Sequence, residues 1–279
     1  MSASGAPGRL FVVSTPIGNM GDFSFRAVEV LKRAGVVLAE DTRHSRTLLD
    51  HYEIRTPTLA YHEHNEARMT PSVIARLRGG EDVALICDAG TPLVSDPGAR
   101  LVRAAIDTGI DVVPIPGASA MLAALVAAGL DASRFTFFGF LPRKGRDRGA
   151  AVRALVNLPH TAIVYEAPAR VADTLVELVE AGAGPRQAVV AREMTKHFEE
   201  VRRGTVGELA AYYRGTPARG EVVILVAGGE PAAPTAEELR ARARALRAEG
   251  MSVRDVTATL VAEFGVGRNE AYRMVREIE

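Results

Sequence analysis

The stretch VALICDAGTPLVSDPG, residues 83–98, decides the fold. Five apolar residues, 83–87, run straight into Asp88-Ala89-Gly90-Thr91-Pro92, so an apolar strand stops abruptly at a polar loop stiffened by glycine and proline. Working outward, the same succession recurs through the first half of the chain. Residues 9–14 lead into Thr15-Pro16-Ile17-Gly18-Asn19, and 36–39 into Glu40-Asp41-Thr42-Arg43-His44. Residues 56–60 lead into Tyr61-His62-Glu63-His64-Asn65, and 111–115 into Pro116-Gly117-Ala118-Ser119-Ala120. Amphipathic stretches at 25–34, 45–52, 71–78, 99–108 and 119–128 separate these strands, the pattern of repeated β-α units and a largely parallel sheet. In such a sheet the five loops share the carboxyl edge of the strands, where ligands of open α/β sheets bind.

The second half repeats the theme. Strands are expected at 135–139, 161–165, 187–191, near 198–203 and at 222–227, with helices at 147–157, 170–181 and 206–213. After Gly229 comes Glu230-Pro231-Ala232-Ala233-Pro234, a proline-rich linker, and then a helical tail over 235–279. Within the tail, Ser252 and Asp255 form a capping box, and Phe264-Gly265-Val266-Gly267 a helix-breaking turn, an order that resembles a helix-turn-helix module. The expected organisation is a loose tail over 1–8, α/β domains over 9–117 and 118–229, and an all-α module over 235–279.

Composition narrows the function. The 279 residues carry 34 basic and 34 acidic side chains, which excludes a uniformly polybasic nucleic-acid binder and an acidic disordered chain. A charged partner must therefore meet a local patch. A single cysteine, Cys87, excludes an internal disulfide framework and fits a reducing cytoplasm. The longest apolar run, 118–130, is shorter than the roughly 20 residues of a membrane-spanning helix. With no signal peptide at the N-terminus, a soluble cytoplasmic protein is expected.

The phosphate-loop and three-glycine dinucleotide patterns are absent. Gly90, Gly98 and Gly117 instead permit close backbone approach to a small ligand. His44, His51, His62 and His64 cluster within 21 residues, but no third ligand has metal-site spacing, and no metal is expected. The one basic segment, Pro142-Arg143-Lys144-Gly145-Arg146-Asp147-Arg148, is the best place for an RNA backbone. Tyr165-Glu166-Ala167-Pro168-Ala169-Arg170 and Arg192-Glu193-Met194-Thr195-Lys196 come after two further strands.

Seven motifs in order, TPIGNMGD (15–22), AEDTRHS (39–45), DAGTPLVSDPG (88–98), PGASA (116–120), FFGFLPRKG (137–145), VYEAPARV (164–171) and AREMTKHFEE (191–200), resemble the ribosomal RNA small subunit methyltransferase I family. That family lies in the tetrapyrrole methylase-like superfamily of S-adenosylmethionine-dependent enzymes. The resemblance implies two α/β domains with the donor in the cleft between them, a homodimer, and methylation of a decoding-centre cytidine 2′-hydroxyl in small-subunit (16S) rRNA or the assembled subunit. By motif, S-adenosyl-L-methionine is expected against Pro16, Gly90, Thr91, Val94, Ser95, Ser119 and Ala120, closed over by Tyr165, Glu166 and Met194. The family's usual Glu-Ala-Pro-His-Arg reads Glu166-Ala167-Pro168-Ala169-Arg170 here.

Transfer to a weakly acidic hydroxyl is helped by a base or by a cation near the developing alkoxide. His62 or Glu63 is the candidate base and Arg43 or Lys196 the cation. Arg143, Lys144, Arg146, Arg148 and Arg170 are the candidate RNA contacts. Two rivals are a corrin-precursor C-methyltransferase of the same fold and a non-catalytic RNA-binding assembly factor.

Overall fold

The computed structural model describes residues 6–229 and 236–277. Residues 1–5, the linker at 230–234 and the tail positions 235, 278 and 279 lie outside the described residues. The chain divides into two units: one holds the residues up to Val156 together with His160–Gly228, the other Asn157–Pro159 and the helices after Gly229.

The first half of the larger unit alternates β1 (Leu10–Val13), α1 (Phe25–Arg33), β2 (Val36–Ala39), α2 (Thr42–His51), β3 (Thr58–Ala60), α3 (Glu66–Arg78), β4 (Val83–Ile86), α4 (Ala99–Asp107) and β5 (Val112–Ile115). The strands form an all-parallel sheet of order β3-β2-β4-β1-β5. Both faces are covered, which is why β4 reads as an unbroken apolar run. Ala27 and Leu31 of α1 and Leu48 and Leu49 of α2 pack with Phe11, Val37 and Ile86 on one face. Val73 and Leu77 of α3 and Leu101 and Ala105 of α4 pack with Leu10, Leu38 and Leu85 on the other.

The second half contributes α5 (Ala120–Ala128), β6 (Phe135–Phe140), α6 (Gly145–Val156), β7 (Thr161–Glu166), α7 (Val171–Leu178), β8 (Gln187–Arg192), β9 (Glu200–Thr205), α8 (Val206–Gly215) and β10 (Val222–Val226). This sheet, ordered β6-β7-β10-β8-β9, is mixed, which corrects the expectation of parallel strands. Only β6 and β7 are parallel; β10 runs antiparallel to β7 and β8, and β9 antiparallel to β8. The reason is the connection: β8 and β9 are joined by seven residues with no crossover helix, too few to return a strand in parallel. Ala124, Leu125 and Ala128 of α5 pack on Ile163, Val189, Val223 and Leu225 of this sheet. A reciprocal capping box, Thr205 with Glu208, starts α8.

In the smaller unit, α9 (Ala236–Ala248), α10 (Val253–Phe264) and α11 (Arg268–Glu277) enclose their own core of Leu239, Leu246, Val256, Leu260 and Met274. Ser252 caps α10 by accepting from the Asp255 N–H, and Gly265 ends it in the left-handed conformation.

Candidate active site

Three loops at the carboxyl edge of the first sheet are bonded into one wall. Because β4 lies beside β1, the loops at their carboxyl ends meet. The Thr15 N–H donates to the Gly90 carbonyl (2.8 Å), and the Gly90 N–H returns a bond to Thr15 (3.2 Å). The Ser14 and Thr91 hydroxyls lie 3.0 Å apart, and Thr91 donates to the Ala118 carbonyl (3.2 Å), which ties in the loop after β5. The segment between β4 and α4 is also strained: Leu93 and Ser95 hold φ of 73° and 71°, a left-handed conformation that costs non-glycine residues roughly 1–2 kcal/mol each. Strain of this kind persists only where the surroundings hold it, and it concentrates at functional sites.

This wall bounds a cavity of about 400 Å³ within the larger unit, at the size of small-molecule sites. The first half contributes Ile17, Glu40, Asp88, Gly90, Thr91, Val94, Ser95, Asp96, Ser119 and Ala120. The second contributes Phe140, Tyr165, Glu166, Met194 and the approach to β10, Gly220–Val223. Nine of the ten expected donor contacts therefore line one cavity. Pro16 does not; it is buried, and its neighbour Ile17 lines the space instead.

The lining is acidic. Glu40, Asp88, Asp96, Glu166 and Glu221 face the cavity, and no Lys, Arg or His among the described residues lines it. Burial first, then repulsion from Asp96 and Asp88, pushes the Glu40 carboxyl above the usual carboxylate range. Asp96 is raised as well, by burial and then by Asp88, against a hydrogen bond from Cys87 that pulls it down. Glu166 is fully buried yet matched. It accepts from the Ala167 N–H (2.8 Å) and the Thr174 hydroxyl (2.6 Å), and it pairs with Arg170 (2.5 Å). The Tyr165 hydroxyl accepts from the Met121 N–H at the start of α5 (3.2 Å), and burial raises its pKa.

None of the four expected base and cation candidates lines the cavity. Arg43 has 91% of its side chain exposed and pairs with Asp41, the residue that caps α2. It edges a separate groove with Arg46, Asp50 and Arg55. Glu63 is exposed on the loop before α3. His62 is half-buried, its Nδ1 has no hydrogen-bond partner, and its ring meets His64 at 5.9 Å. Lys196 lies nearest: its Nζ is 3.0 Å from both Glu193 and the cavity-lining Glu221, and its chain crosses Gly18, where any Cβ would overlap it.

The basic segment divides. Arg143, Lys144 and Arg146 are exposed, on the stretch between β6 and the first turn of α6. Arg148 is only 6% exposed, a correction to its assignment as an RNA contact. Its guanidinium is taken up by Glu177 (2.8 Å), Thr174 (2.8 Å) and the Pro142 carbonyl (3.0 Å), so it offers nothing to a phosphate. Arg170 is half-buried on Glu166. Sequence reading missed Glu40, Asp88, Asp96, Phe140 and Glu221; the signal available was that Glu40, Asp88 and Asp96 all come after strands of the same parallel sheet.

The family model for Tetrapyrrole (Corrin/Porphyrin) Methylases matches residues 9–210. Solved structures agree on the fold. A cobalt precorrin-4 methyltransferase superposes with a TM-score of 0.60 at 20% identity, covering 78% of this chain and 94% of its own. Uroporphyrin-III C-methyl transferase from Thermus thermophilus, complexed with S-adenyl homocysteine, does so at 0.56 and 19% identity, covering 79% and 97%. Curated relatives are nearer. Proteins named Ribosomal RNA small subunit methyltransferase I are 48% identical in Mesorhizobium japonicum, over 97% of this chain and 92% of theirs, and 48% in Pseudomonas aeruginosa, over 95% and 96%. The chain belongs to the tetrapyrrole methylase family and, within it, to the ribosomal RNA small subunit methyltransferase I family.

Proposed function

We propose that the protein transfers a methyl group from S-adenosyl-L-methionine to the ribose 2′-hydroxyl of a cytidine in small-subunit rRNA. The observation that carries this reading is the acid-lined cavity at the edge of the first sheet with exposed cations, Arg143, Lys144 and Arg146, on the segment that leaves its lip. Glu40, Asp88 and Asp96, which pair with no cation among the described residues, suit a ligand that bears a positive sulfonium, and Gly90 at φ 87° leaves the backbone open to close approach. Gly90, Thr91, Ser119 and Ala120 would hold the donor from one side and Tyr165 and Met194 from the other. When bound, the donor supplies an electrophilic methyl group.

The chain's own part is placement and proton removal. The bonded loops fix the cavity wall before substrate arrives, which supplies proximity without later ordering cost. Glu40 or Asp96, each with its carboxyl held above the ordinary carboxylate range, takes the hydroxyl proton in place of His62 or Glu63. Lys196 ties the loop after β8, through Glu193, to the approach to β10 at Glu221, rather than touching the reacting oxygen. A homodimer belongs to the same reading; light scattering that returned one chain's mass would remove that part. No helix among the described residues is long and apolar enough to cross a membrane.

The test is methylation of small subunits purified from a strain lacking the enzyme, with mass mapping of the product. One methyl on a cytidine ribose is expected. Transfer to a base, or no transfer with donor bound, overturns the reading.

A further inference from the structure

One extra residue in β6 determines where Phe140 points. Between Phe137, opposite Ile163, and Phe140, opposite Tyr165, β6 takes three steps while β7 takes two. Residues three apart on a regular strand lie on opposite faces. The insertion brings Phe140 onto the face of Phe137, and both rings meet Tyr165 edge-on, with centroids 5.6 and 4.8 Å away. Gly139 carries the bulge at φ 64°, and a Cβ there would come within 3.1 Å of Ser95 Oγ, so the irregularity is built on a residue without a side chain. A ring that a straight strand would have turned away instead lies on the cavity wall, 57% exposed.

The next residues along the chain give that ring its partner. Leu141 is buried and anchors the strand end, and Arg143, Lys144 and Arg146 stand exposed just beyond it. Exposed aromatic area beside cations is the chemistry by which single-stranded RNA is held, its unstacked bases on rings and its phosphates on basic side chains. The acidic lining repels phosphate, so a nucleotide can approach only with its ribose inward and its phosphates toward the cations.

We propose that Phe140 is the stacking platform for the base of the acceptor nucleotide, set at the cavity lip by the β6 bulge. The inference rests on the RNA-methylation reading above. It makes Phe140 a residue that selects an unpaired acceptor, since a base held in a duplex has no face to offer.

The experiment compares wild type, Phe140→Ala and Phe140→Trp by calorimetry with S-adenosyl-L-methionine and by steady-state transfer to small-subunit RNA, intact or abasic at the acceptor. Phe140→Ala is expected to bind donor as wild type does, which also certifies its fold, while KM for RNA rises about tenfold. Phe140→Trp should restore most of that loss. On the abasic acceptor wild type and Phe140→Ala should become equal, because ring and base act as a pair. A weakened donor affinity, which would assign the ring to the donor's own purine, overturns the proposal. So does an alanine penalty that persists on the abasic acceptor. Failure of wild type to methylate any RNA while binding donor normally would overturn the functional reading itself, a pattern that neither of those outcomes produces.

Discussion

Glu40, Asp88 and Asp96 bring three carboxyl groups to one cavity wall, and two of them are pushed up, first by burial and then by neighbouring carboxylates, Asp96 and Asp88 acting on Glu40 and Asp88 on Asp96. A carboxyl whose folded pKa exceeds its unfolded value binds more protons in the folded state. Its stabilising contribution is therefore fully present below the unfolded pKa and is lost as pH rises through the folded one. At neutral pH Asp96 accordingly works against stability. Asp96→Asn should melt higher than wild type at pH 7, and the gain should vanish below the ordinary carboxylate range, as thermal melts across pH would record. The same substitution, or Glu40→Gln, should lower kcat by about 10²-fold, the usual worth of a general base, with donor affinity changed far less. An unchanged kcat in both variants would assign the base elsewhere. Little of this is legible in sequence. Residue order places Glu40 and Asp96 near a sheet edge, but which carboxyl is buried depends on side chains brought from loops far apart in the chain. Arg148 makes the same point in reverse: it stands in a run of cations and is folded inward onto Glu177 and Thr174.

At the scale of elements, the loop that leaves β6 divides its labour. Its inward residues, Leu141 and Arg148, fasten it, and its outward residues face solvent. Charge reversal at Arg143, Lys144 and Arg146 should therefore weaken RNA binding and flatten its salt dependence, each lost phosphate contact reducing the slope by about 0.7 on single-stranded RNA. Donor affinity measured by calorimetry should stay unchanged, since none of the three lines the cavity. The strands themselves are legible almost to the residue, because runs such as Val83–Ile86 and Val222–Val226 are continuously apolar between polar breaks. Strand direction in the second half is not. Alternation of strand and helix implies parallel pairing, and only the short connection between β8 and β9 signals the reversal. The bulge in β6 is equally hidden, since Phe137-Phe138-Gly139-Phe140 reads as an ordinary aromatic strand with a glycine in it.

For the molecule as a whole, both sheets fall in one unit and the three C-terminal helices in another with a core of its own. A chain ended at Gly229 is expected to keep donor affinity, because every residue that lines the cavity precedes that point. Calorimetry on the shortened protein checks this, and loss of binding would show that the helical unit supports the site. The order of the second sheet carries a consequence for synthesis. Its last strand in sequence, β10, is its middle strand in space, between β7 and β8. As the chain leaves the ribosome, the first sheet has all its strands once Ile115 is out. The second stays incomplete far longer, as two unjoined pairs, β6 with β7 and β8 with β9. Until Val222–Val226 slots between them, two apolar edges stand open to wrong partners, and the far wall of the cavity lacks the strand that joins Tyr165 on β7 to the end of β8. Newly made chains would thus acquire the ability to bind donor in a single late step.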